Sequence, residues 1–308
     1  MAKPLPTLRQ LQYLVAVVDR CHFGAAAQAC AVTQSTLSAA IQELEELLGA
    51  PLLERSKRSV VPTPLGRDIA ERARALLQGA EDLVDAAQAG RAVMAGPLRL
   101  GVIPTIGPFV LPRTMPRLRR AFPQLKLYLR EEQTEPLVAK LQAGELDAVL
   151  LALPYPLRDL EVMEIAEDPF WAAYPPGHVV PAGKPVQPGD MALENLLLLE
   201  DGHCLRDQAL AACHLEGARR NEAFQGTSLH TLVQMVANGL GVTLLPQMAI
   251  DAGILRGLNL PLRPLAGKSS ARRIGLVWRR SSARKETFRT LGQALKAELD
   301  AMAQRRAA

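Results

Sequence analysis

The chain has 308 residues, of which 48% are hydrophobic and 22% charged, a composition typical of a globular protein with more than one domain. Its net charge of +5 permits an anionic partner without identifying one. No apolar run reaches the roughly 18 to 20 residues that span a bilayer, and the N-terminus lacks a signal-peptide pattern. We therefore expect a cytoplasmic protein without membrane contact, in which permanent disulfides are disfavoured.

The first ninety or so residues are predicted to be helical. In LRQLQYLVAVVD, one face carries Leu8, Leu11, Leu14, Val15 and Val18. A short helix begins at Phe23, and a third follows Thr33, its predicted N-cap, and ends at Gly49. The predicted buried stripe of this third helix is Ile41, Leu44, Leu47 and Leu48. After it, the short, basic and β-branched PLLERSKRSVVPTPLG predicts a hairpin-like wing.

Two short helices, a tight turn and a wing indicate a winged helix-turn-helix, whose second helix would enter the major groove. Its first turns offer side chains that can reach base edges or phosphates: Thr33, Gln34, Ser35, Thr36 and Ser38. The wing offers three cations for phosphates: Arg55, Lys57 and Arg58. A helical bundle with a solvated basic loop fits the same periodicity.

A long helix is predicted from Pro64 to about Val93, with an apolar stripe suited to packing along a partner. From Gly96 onward, strands alternate with helices, which predicts a parallel α/β sheet, and a second such set begins near Asp168. We expect an α+β multidomain protein divided into a winged helix-turn-helix (1–62), a linker and dimerisation helix (63–95), a first α/β lobe (96–166 and 270–308) and a second α/β lobe (167–269).

The segment EDGHCLRDQALAACHLEG holds two of the four cysteines, Cys204 and Cys213, nine positions apart. In one continuous helix, nine steps separate them by roughly 13 to 14 Å and place them on nearly opposite faces. A disulfide requires Cα atoms within about 7 Å. The two thiols can bond only if the segment unwinds, so a bond between them would act as a conformational switch.

Cys204 is predicted to be the reactive thiol, because it falls in the first turn of the helix, where the positive end of the helix favours thiolate. His203 and Arg206 lie close to it in sequence. Peroxide would convert the thiolate to sulfenic acid, which a second thiol condenses to a disulfide.

Two other interpretations compete with this one. Both cysteines can instead be small buried side chains, as we expect for Cys21 and Cys30. A zinc site that includes His214 has the wrong ligand spacing, so no metal or cofactor is predicted.

The stretch FGAAAQACAVTQSTLSAAIQELEELLGAPLLERSKRSVVPTPLG resembles the DNA-binding domain of LysR-type transcriptional regulators. Five further stretches resemble the peroxide-sensing branch of that family, in the same order: GVIPTIGPFVLP, EEQT, LEDGHCLRDQAL, GTSLHTLVQMVANGLGVTLLP and RRIGLVW. The resemblance runs from Leu8 to beyond Arg280. It implies a two-lobed regulatory domain like that of periplasmic binding proteins, with Cys204 as the peroxidatic thiol and Cys213 as the resolving thiol.

The resemblance also implies roles around Cys204. Thr105 and Thr134 would hold a peroxide or water, His203 would assist, and either Arg272 or Arg273 would support the site. Each threonine can also be a plain turn or cap residue. The implied partners are double-stranded DNA, RNA polymerase, hydrogen peroxide as the signal, a cytosolic dithiol reductant and further copies of the chain in a homodimer or homotetramer that acts as an activator.

Two other functions remain open on the sequence. A LysR-type regulator can respond instead to a small organic anion between the lobes, where Thr105 and Thr134 would suit a carboxylate. A thiol peroxidase would use the same thiols with turnover. We expect no enzyme, because a large part of the chain is devoted to DNA contact.

Overall fold

The structure, a computed structural model, describes residues 4–55, 60–88, 93–179, 184–191, 194–213, 225–267 and 270–307. Contacts between residues divide the chain into two compact units. One comprises Met1–Arg91 with Gln142–Gly144, and the other comprises Ala92–Leu141 with Glu145–Ala308. No helix among the described residues combines the length and the apolar character needed to cross a membrane.

The described part of the N-terminal unit has four helices and one hairpin. In chain order they are α1 (Leu8–Arg20), α2 (Phe23–Ala29), α3 (Gln34–Leu48), β1 (Leu53–Arg55), β2 (Val60–Pro62) and α4 (Pro64–Gln88). Thr33 caps α3, since its side chain accepts a hydrogen bond from the N–H of Thr36 at 3.2 Å, and Gly49 ends the helix with a φ of +69°. The two strands pair antiparallel, as the predicted wing requires.

The core of this unit is formed where α1, α2 and α3 meet. Leu14, Leu37, Ile41 and Leu44 are fully buried in it. The predicted stripe of α3 is wrong for Leu48, which is 40% exposed. Leu48 is the last residue of α3, where the helix ends at Gly49, so the periodic pattern continues beyond the neighbours that bury it.

The linker helix α4 is covered by its own unit over its first half. Ala70 and Ala73 are buried, whereas Leu76, Leu83 and Val84 are 58%, 72% and 51% exposed. The predicted end of this helix near Val93 lies partly outside the described residues. An apolar stripe along the second half of α4 is thus left exposed by the described residues of its own unit.

The first part of the C-terminal unit alternates strands and helices. It comprises β3 (Gly96–Val102), α5 (Gly107–Ala121), β4 (Leu125–Glu131), α6 (Thr134–Gln142), β5 (Ala148–Leu153) and β6 (Leu160–Ala173). β3 pairs in parallel with both β4 and β5. The carboxyl ends of these three strands therefore meet at one edge of the sheet.

The remaining elements complete two lobes. They are α7 (Pro188–Met191), β7 (Leu198–Leu199), α8 (Cys204–Ala212), β8 (Gln225–Gly226), α9 (Leu229–Ala237), β9 (Thr243–Pro246), α10 (Gln247–Asp251), β10 (Leu262–Pro264), β11 (Ala271–Arg279) and α11 (Lys285–Ala307). β7 and β8 form a separate two-stranded parallel sheet. The large sheet has the order β10-β6-β11-β5-β3-β4, with β9 also paired to β6.

The long strand β6 belongs to both lobes. Its first part pairs with β11, and from Phe170 onward it pairs with β9. The prediction of a parallel sheet is right for β3, β4 and β5, whereas β11, whose direction was not predicted, runs antiparallel to β5 and β6. Periodicity in a sequence marks a strand but not its direction, and β11 enters this sheet when the chain returns from the second lobe.

Candidate functional site

The predicted site residues of the first lobe follow the carboxyl ends of parallel strands. Thr105 comes three residues after β3, Thr134 three residues after β4, and Leu153 ends β5. Strand β11 begins beside them, because Arg273 is paired with Leu153 across the sheet. The side chains of Thr105, Thr134 and Arg272 are all buried, with exposed fractions of 2%, 3% and 2%.

Arg272 is held on three sides. Its Nη1 donates to Thr105 Oγ1 at 2.9 Å and its Nη2 to the Thr105 carbonyl at 2.8 Å. Its Nε donates to Asp168 Oδ2 at 2.9 Å. Arg273, by contrast, is exposed and pairs with Glu164 at 2.5 Å. Since successive side chains of a strand point to opposite faces, only Arg272 of the two predicted arginines lies beside Thr105.

Helix α8 is anchored to the same edge of the sheet. Gln208 Nε2 donates to the carbonyl of Leu153 at 3.2 Å, and Gln133 Nε2 donates to the carbonyl of Asp201 at 3.4 Å. Burial raises the pKa of the Tyr155 phenol, and charges at Glu135 and Cys204 add to that effect. The first turn of α8 therefore lies against the segments that follow β4 and β5.

The two cysteines of the segment occupy opposite ends of α8. Cys204 is its first residue and is half-buried, whereas Cys213 follows its last residue and is 1% exposed within the hydrophobic core. Both thiols are free. Burial raises the pKa of the Cys213 thiol to about 11. Cys213 packs as a small apolar side chain in this state, so it can reach Cys204 only if α8 comes apart.

Two further predicted groups line the start of α8. His203 is its N-cap residue but makes no side-chain capping bond, and its Nε2 lies 3.7 Å from Glu200 Oε1. Burial lowers the pKa of His203, and Glu200 opposes that effect in part, so the imidazole is neutral at pH 7. Arg206 directs its guanidinium to Asp201 at 3.0 Å and to the Leu199 carbonyl at 3.1 Å, and thereby fixes the turn before Cys204.

Two buried polar oxygens, in α8 and in the segment bonded to the turn before it, have no hydrogen-bond partner among the described residues. They are Thr134 Oγ1 and Gln208 Oε1. Unpartnered buried polar atoms are rare because they cost free energy, and a bound water or small polar ligand would satisfy them. Gln208 is a residue that the sequence reasoning missed, although its position four residues after Cys204 puts both side chains on one helical face.

The turn before α8 depends on Gly202. Its φ is +91°, a conformation that side chains rarely adopt, and an added Cβ would lie 2.5 Å from Gln133 Oε1. The positive φ therefore favours glycine, and any larger residue would also displace the end of the Gln133 side chain. The DGHC motif thus reflects the close approach of two chain segments as well as the chemistry of the thiol.

The predicted DNA-contacting side chains stand at the start of α3. Thr33, Gln34, Ser35 and Thr36 are exposed, and Ser38 is half-buried. The hydroxyl of Thr33 lies 2.7 Å from that of Thr36 and 3.0 Å from that of Ser35. Lys57 and Arg58 lie outside the described residues, as does the side chain of Arg55.

One acidic side chain of α3 is turned inward. Glu45 Oε1 accepts hydrogen bonds from the N–H groups of Leu52 at 2.8 Å and Leu53 at 3.0 Å. The Glu45 carboxylate therefore joins α3 to the wing.

The prediction that both N-terminal cysteines pack in the core is wrong for Cys21, which is exposed at the end of α1, while Cys30 is half-buried. The described residues contain no cluster of side chains suited to a metal ion.

Both units match known families. Residues 8–67 match the family described as bacterial regulatory helix-turn-helix protein, lysR family, and residues 91–300 match the LysR substrate binding domain. The DNA-binding transcriptional dual regulator OxyR of Escherichia coli is 40% identical over 293 residues, which cover 95% of this chain and 96% of the relative.

Solved structures of similar proteins extend the likeness to three dimensions. A full-length OxyR variant from Pseudomonas aeruginosa superposes with a TM-score of 0.80 at 36% identity, covering 95% of each chain. A Corynebacterium glutamicum OxyR cysteine mutant, described as H2O2-bound, has a TM-score of 0.67 at 32% identity and covers 99% of this chain and 97% of that one.

Proposed function

The chain belongs to the LysR family of bacterial transcriptional regulators, and we propose that it senses hydrogen peroxide through Cys204 and Cys213 and converts the signal into a change in DNA binding. The single observation that carries the proposal is the arrangement around α8. Half-buried Cys204 begins α8, and Gln208, one turn further along the helix, has an unpartnered buried Oε1. Unpartnered Thr134 follows Gln133, whose side chain is bonded to Asp201 just before α8, and a second thiol, Cys213, is buried in the core at the far end of the helix.

The chemistry at Cys204 follows from these groups. The Cys204 thiolate attacks one peroxide oxygen, so that an S–O bond forms and the O–O bond breaks, and the leaving hydroxide takes up the proton that the thiol released on ionising and departs as water. Thr105, Thr134 and Gln208 supply hydrogen-bonding groups for the peroxide. Neutral His203 can exchange a proton at the same edge of α8.

Closure of the disulfide requires a change of shape. The Cys213 thiol condenses with the Cys204 sulfenic acid, which forms an S–S bond and releases water. A nine-residue helix holds the two positions roughly 13 to 14 Å apart, so α8 must unwind before the sulfurs meet. The segment between β7 and β9 then repacks, and the reduced state is restored by a cytosolic dithiol reductant.

The N-terminal unit supplies the output. Thr33, Gln34, Ser35, Thr36 and Ser38 of the α3 region face DNA, with Arg55, Lys57 and Arg58 of the wing on phosphates. The exposed stripe of α4 formed by Leu76, Leu83 and Val84 suits a contact with a second copy of the chain. A homodimer or homotetramer in the cytoplasm, working as an activator with RNA polymerase, completes the proposal.

Mass spectrometry of the full-length protein before and after brief peroxide exposure tests it. We expect one disulfide, Cys204–Cys213, while exposed Cys21 remains open to alkylation in both samples and serves as the internal control. In the Cys204→Ser variant, no disulfide forms and DNA binding no longer responds to peroxide. A variant that keeps its response would favour the organic-anion regulator instead.

Stoichiometry separates the regulator from a thiol peroxidase. With excess dithiol reductant, a sensor consumes peroxide only as fast as its disulfide is reset. Many turnovers per subunit at a rate that scales with peroxide concentration would favour the enzyme.

A further inference from the structure

Asp168 is a buried carboxylate that contacts the site through Arg272. It is 3% exposed, and both of its oxygens accept hydrogen bonds. Oδ2 accepts from Arg272 Nε at 2.9 Å, and Oδ1 accepts from the N–H of Met248 at 2.9 Å. The carboxylate therefore ties Arg272, on β11, to the first turn of α10 in the second lobe.

Asp168 lies close to the point where β6 changes its pairing partner. It lies opposite Arg272 in the pairing of β6 with β11, and two residues later, at Phe170, the partner of β6 becomes β9. Asp168 thus stands where β6 passes from one lobe to the other. Burial raises the pKa of the Asp168 carboxyl, and the charge of Arg272 and the hydrogen bond from Met248 oppose that effect in part.

Because the guanidinium of Arg272 is planar, its bond to Asp168 also fixes how it contacts Thr105. Its N–H groups have fixed relative directions, so the bond from Nε to Asp168 sets where Nη1 and Nη2 point. Both of those nitrogens donate to Thr105, one to the hydroxyl oxygen and one to the carbonyl. A hydroxyl oxygen that accepts from Arg272 must direct its own proton elsewhere, which leaves Thr105 as a donor.

We infer that Asp168 is a positioning residue for peroxide sensing, which holds Arg272 so that the Thr105 hydroxyl presents its proton to the peroxide at Cys204. The inference rests on the proposed function. When the Cys204–oxygen bond forms and the O–O bond breaks, negative charge develops on the departing oxygen. A donor fixed in advance stabilises that charge without reorganising.

Replacing Asp168 by Asn tests the inference, because the neutral amide loses the attraction for Arg272 and can turn an NH2 group toward the guanidinium. The experiment uses the full-length chain with Cys213→Ala, so that oxidised Cys204 remains a sulfenic acid and dimedone can trap it. Two rate constants are measured for Cys204: oxidation by hydrogen peroxide and alkylation by iodoacetamide, which needs no peroxide site. Glu164→Gln, which removes the exposed partner of neighbouring Arg273, is the matched control.

We expect Asp168→Asn to slow peroxide oxidation by roughly tenfold or more, the scale of one misplaced donor. Alkylation should change by less than about threefold, Asp168→Glu should restore most of the oxidation rate, and Glu164→Gln should leave both rates unchanged. Equal oxidation rates in Asp168→Asn and Glu164→Gln would overturn the inference. So would a parallel loss of alkylation, because Asp168 would then act on access to the thiol.

Two further comparisons address a variant that does not fold and a parent chain whose Cys204 does not react with peroxide. If Asp168→Asn does not fold, the double variant Asp168→Asn/Arg272→Met removes both buried charges together, which proteins tolerate better. Its oxidation rate should equal that of Arg272→Met alone, and a much slower rate would overturn the inference. If Cys204 of the parent chain reacts with peroxide no faster than exposed Cys21, the proposed function fails, and the inference fails with it.

Discussion

Cys204 and Cys213 stand at the two ends of one nine-residue helix, the first half-buried at its N-terminus and the second 1% exposed beyond its last residue. The thiol that a small oxidant can reach and the thiol that would pair with it are therefore held at opposite ends of one helix. The stability of α8 should set how fast the second step follows the first, because the helix must open before the disulfide can close.

Weakening α8 should accelerate disulfide closure. Ala211 is exposed in the last turn of α8, where glycine costs up to about 1 kcal/mol relative to alanine. We expect Ala211→Gly to raise the closure rate roughly fivefold by favouring the open helix, with peroxide oxidation of Cys204 unchanged. Rapid quenching with a thiol reagent after a peroxide pulse measures both steps. The same change at exposed Ala75 in α4 should have no effect on closure. If Ala211→Gly leaves the rate of disulfide closure unchanged, opening of α8 does not limit that closure.

A side chain at position 202 should disturb the turn that precedes Cys204. Gly202→Ala adds a Cβ 2.5 Å from Gln133 Oε1 at a φ of +91°, so both contact and backbone strain oppose it. Gly253→Ala is the control, because its φ is +90° but no atom lies within 4 Å of its Cβ. Thermal unfolding should show the position 202 variant to be less stable than the control by about 1 kcal/mol, because the Gln133 amide must move and lose its hydrogen bond to the Asp201 carbonyl. Equal losses of stability in the two variants would show that the Gln133 side chain moves aside without cost.

The buried thiol of Cys213 should make the reduced protein less stable in alkali. Its pKa is raised to about 11, above the ordinary thiol value of about 8.5. The stabilising contribution is therefore complete below the ordinary value and is lost as the pH rises through about 11, since the unfolded chain loses its proton first. Denaturant unfolding of reduced protein at several pH values between these limits should show a shallower decline for Cys213→Ala. Cys21→Ala should decline like the parent, and identical slopes for all three proteins would contradict the prediction.

Removing the unpartnered hydroxyl of Thr134 should slow the reaction of Cys204 with peroxide without lowering the stability of the fold. Thr134→Val replaces a buried oxygen without a partner among the described residues by a methyl group, so stability should stay equal or rise by about 1 kcal/mol. Peroxide oxidation of Cys204 should slow by roughly tenfold, because a group for the peroxide is gone. Thr114→Val is the counterpart, since that buried hydroxyl donates to the Val110 carbonyl at 2.8 Å. It should lose stability with no change in oxidation. The reverse pattern would assign Thr134 a purely structural role.

The sequence by itself determined the local elements of this protein. Apolar spacing predicted the helices of the N-terminal unit, Thr33 and Gly49 marked the ends of α3, and the nine-residue separation of Cys204 and Cys213 already required a helix that opens. These features depend on neighbours within a turn or two of the chain, so a linear pattern contains them.

Only the tertiary structure decided which side chains meet across the fold. It placed Arg272 on Thr105 and Arg273 in solvent, and it brought Gln208 to the end of β5. It also buried Cys213 in the core, although Cys21 is exposed. The physical reason is that burial and partnership depend on segments 50 to 170 residues apart, such as Gln208 with Leu153 and Arg272 with Thr105. Periodicity along the chain sets the face on which a side chain stands, and the packing of distant elements decides what covers that face.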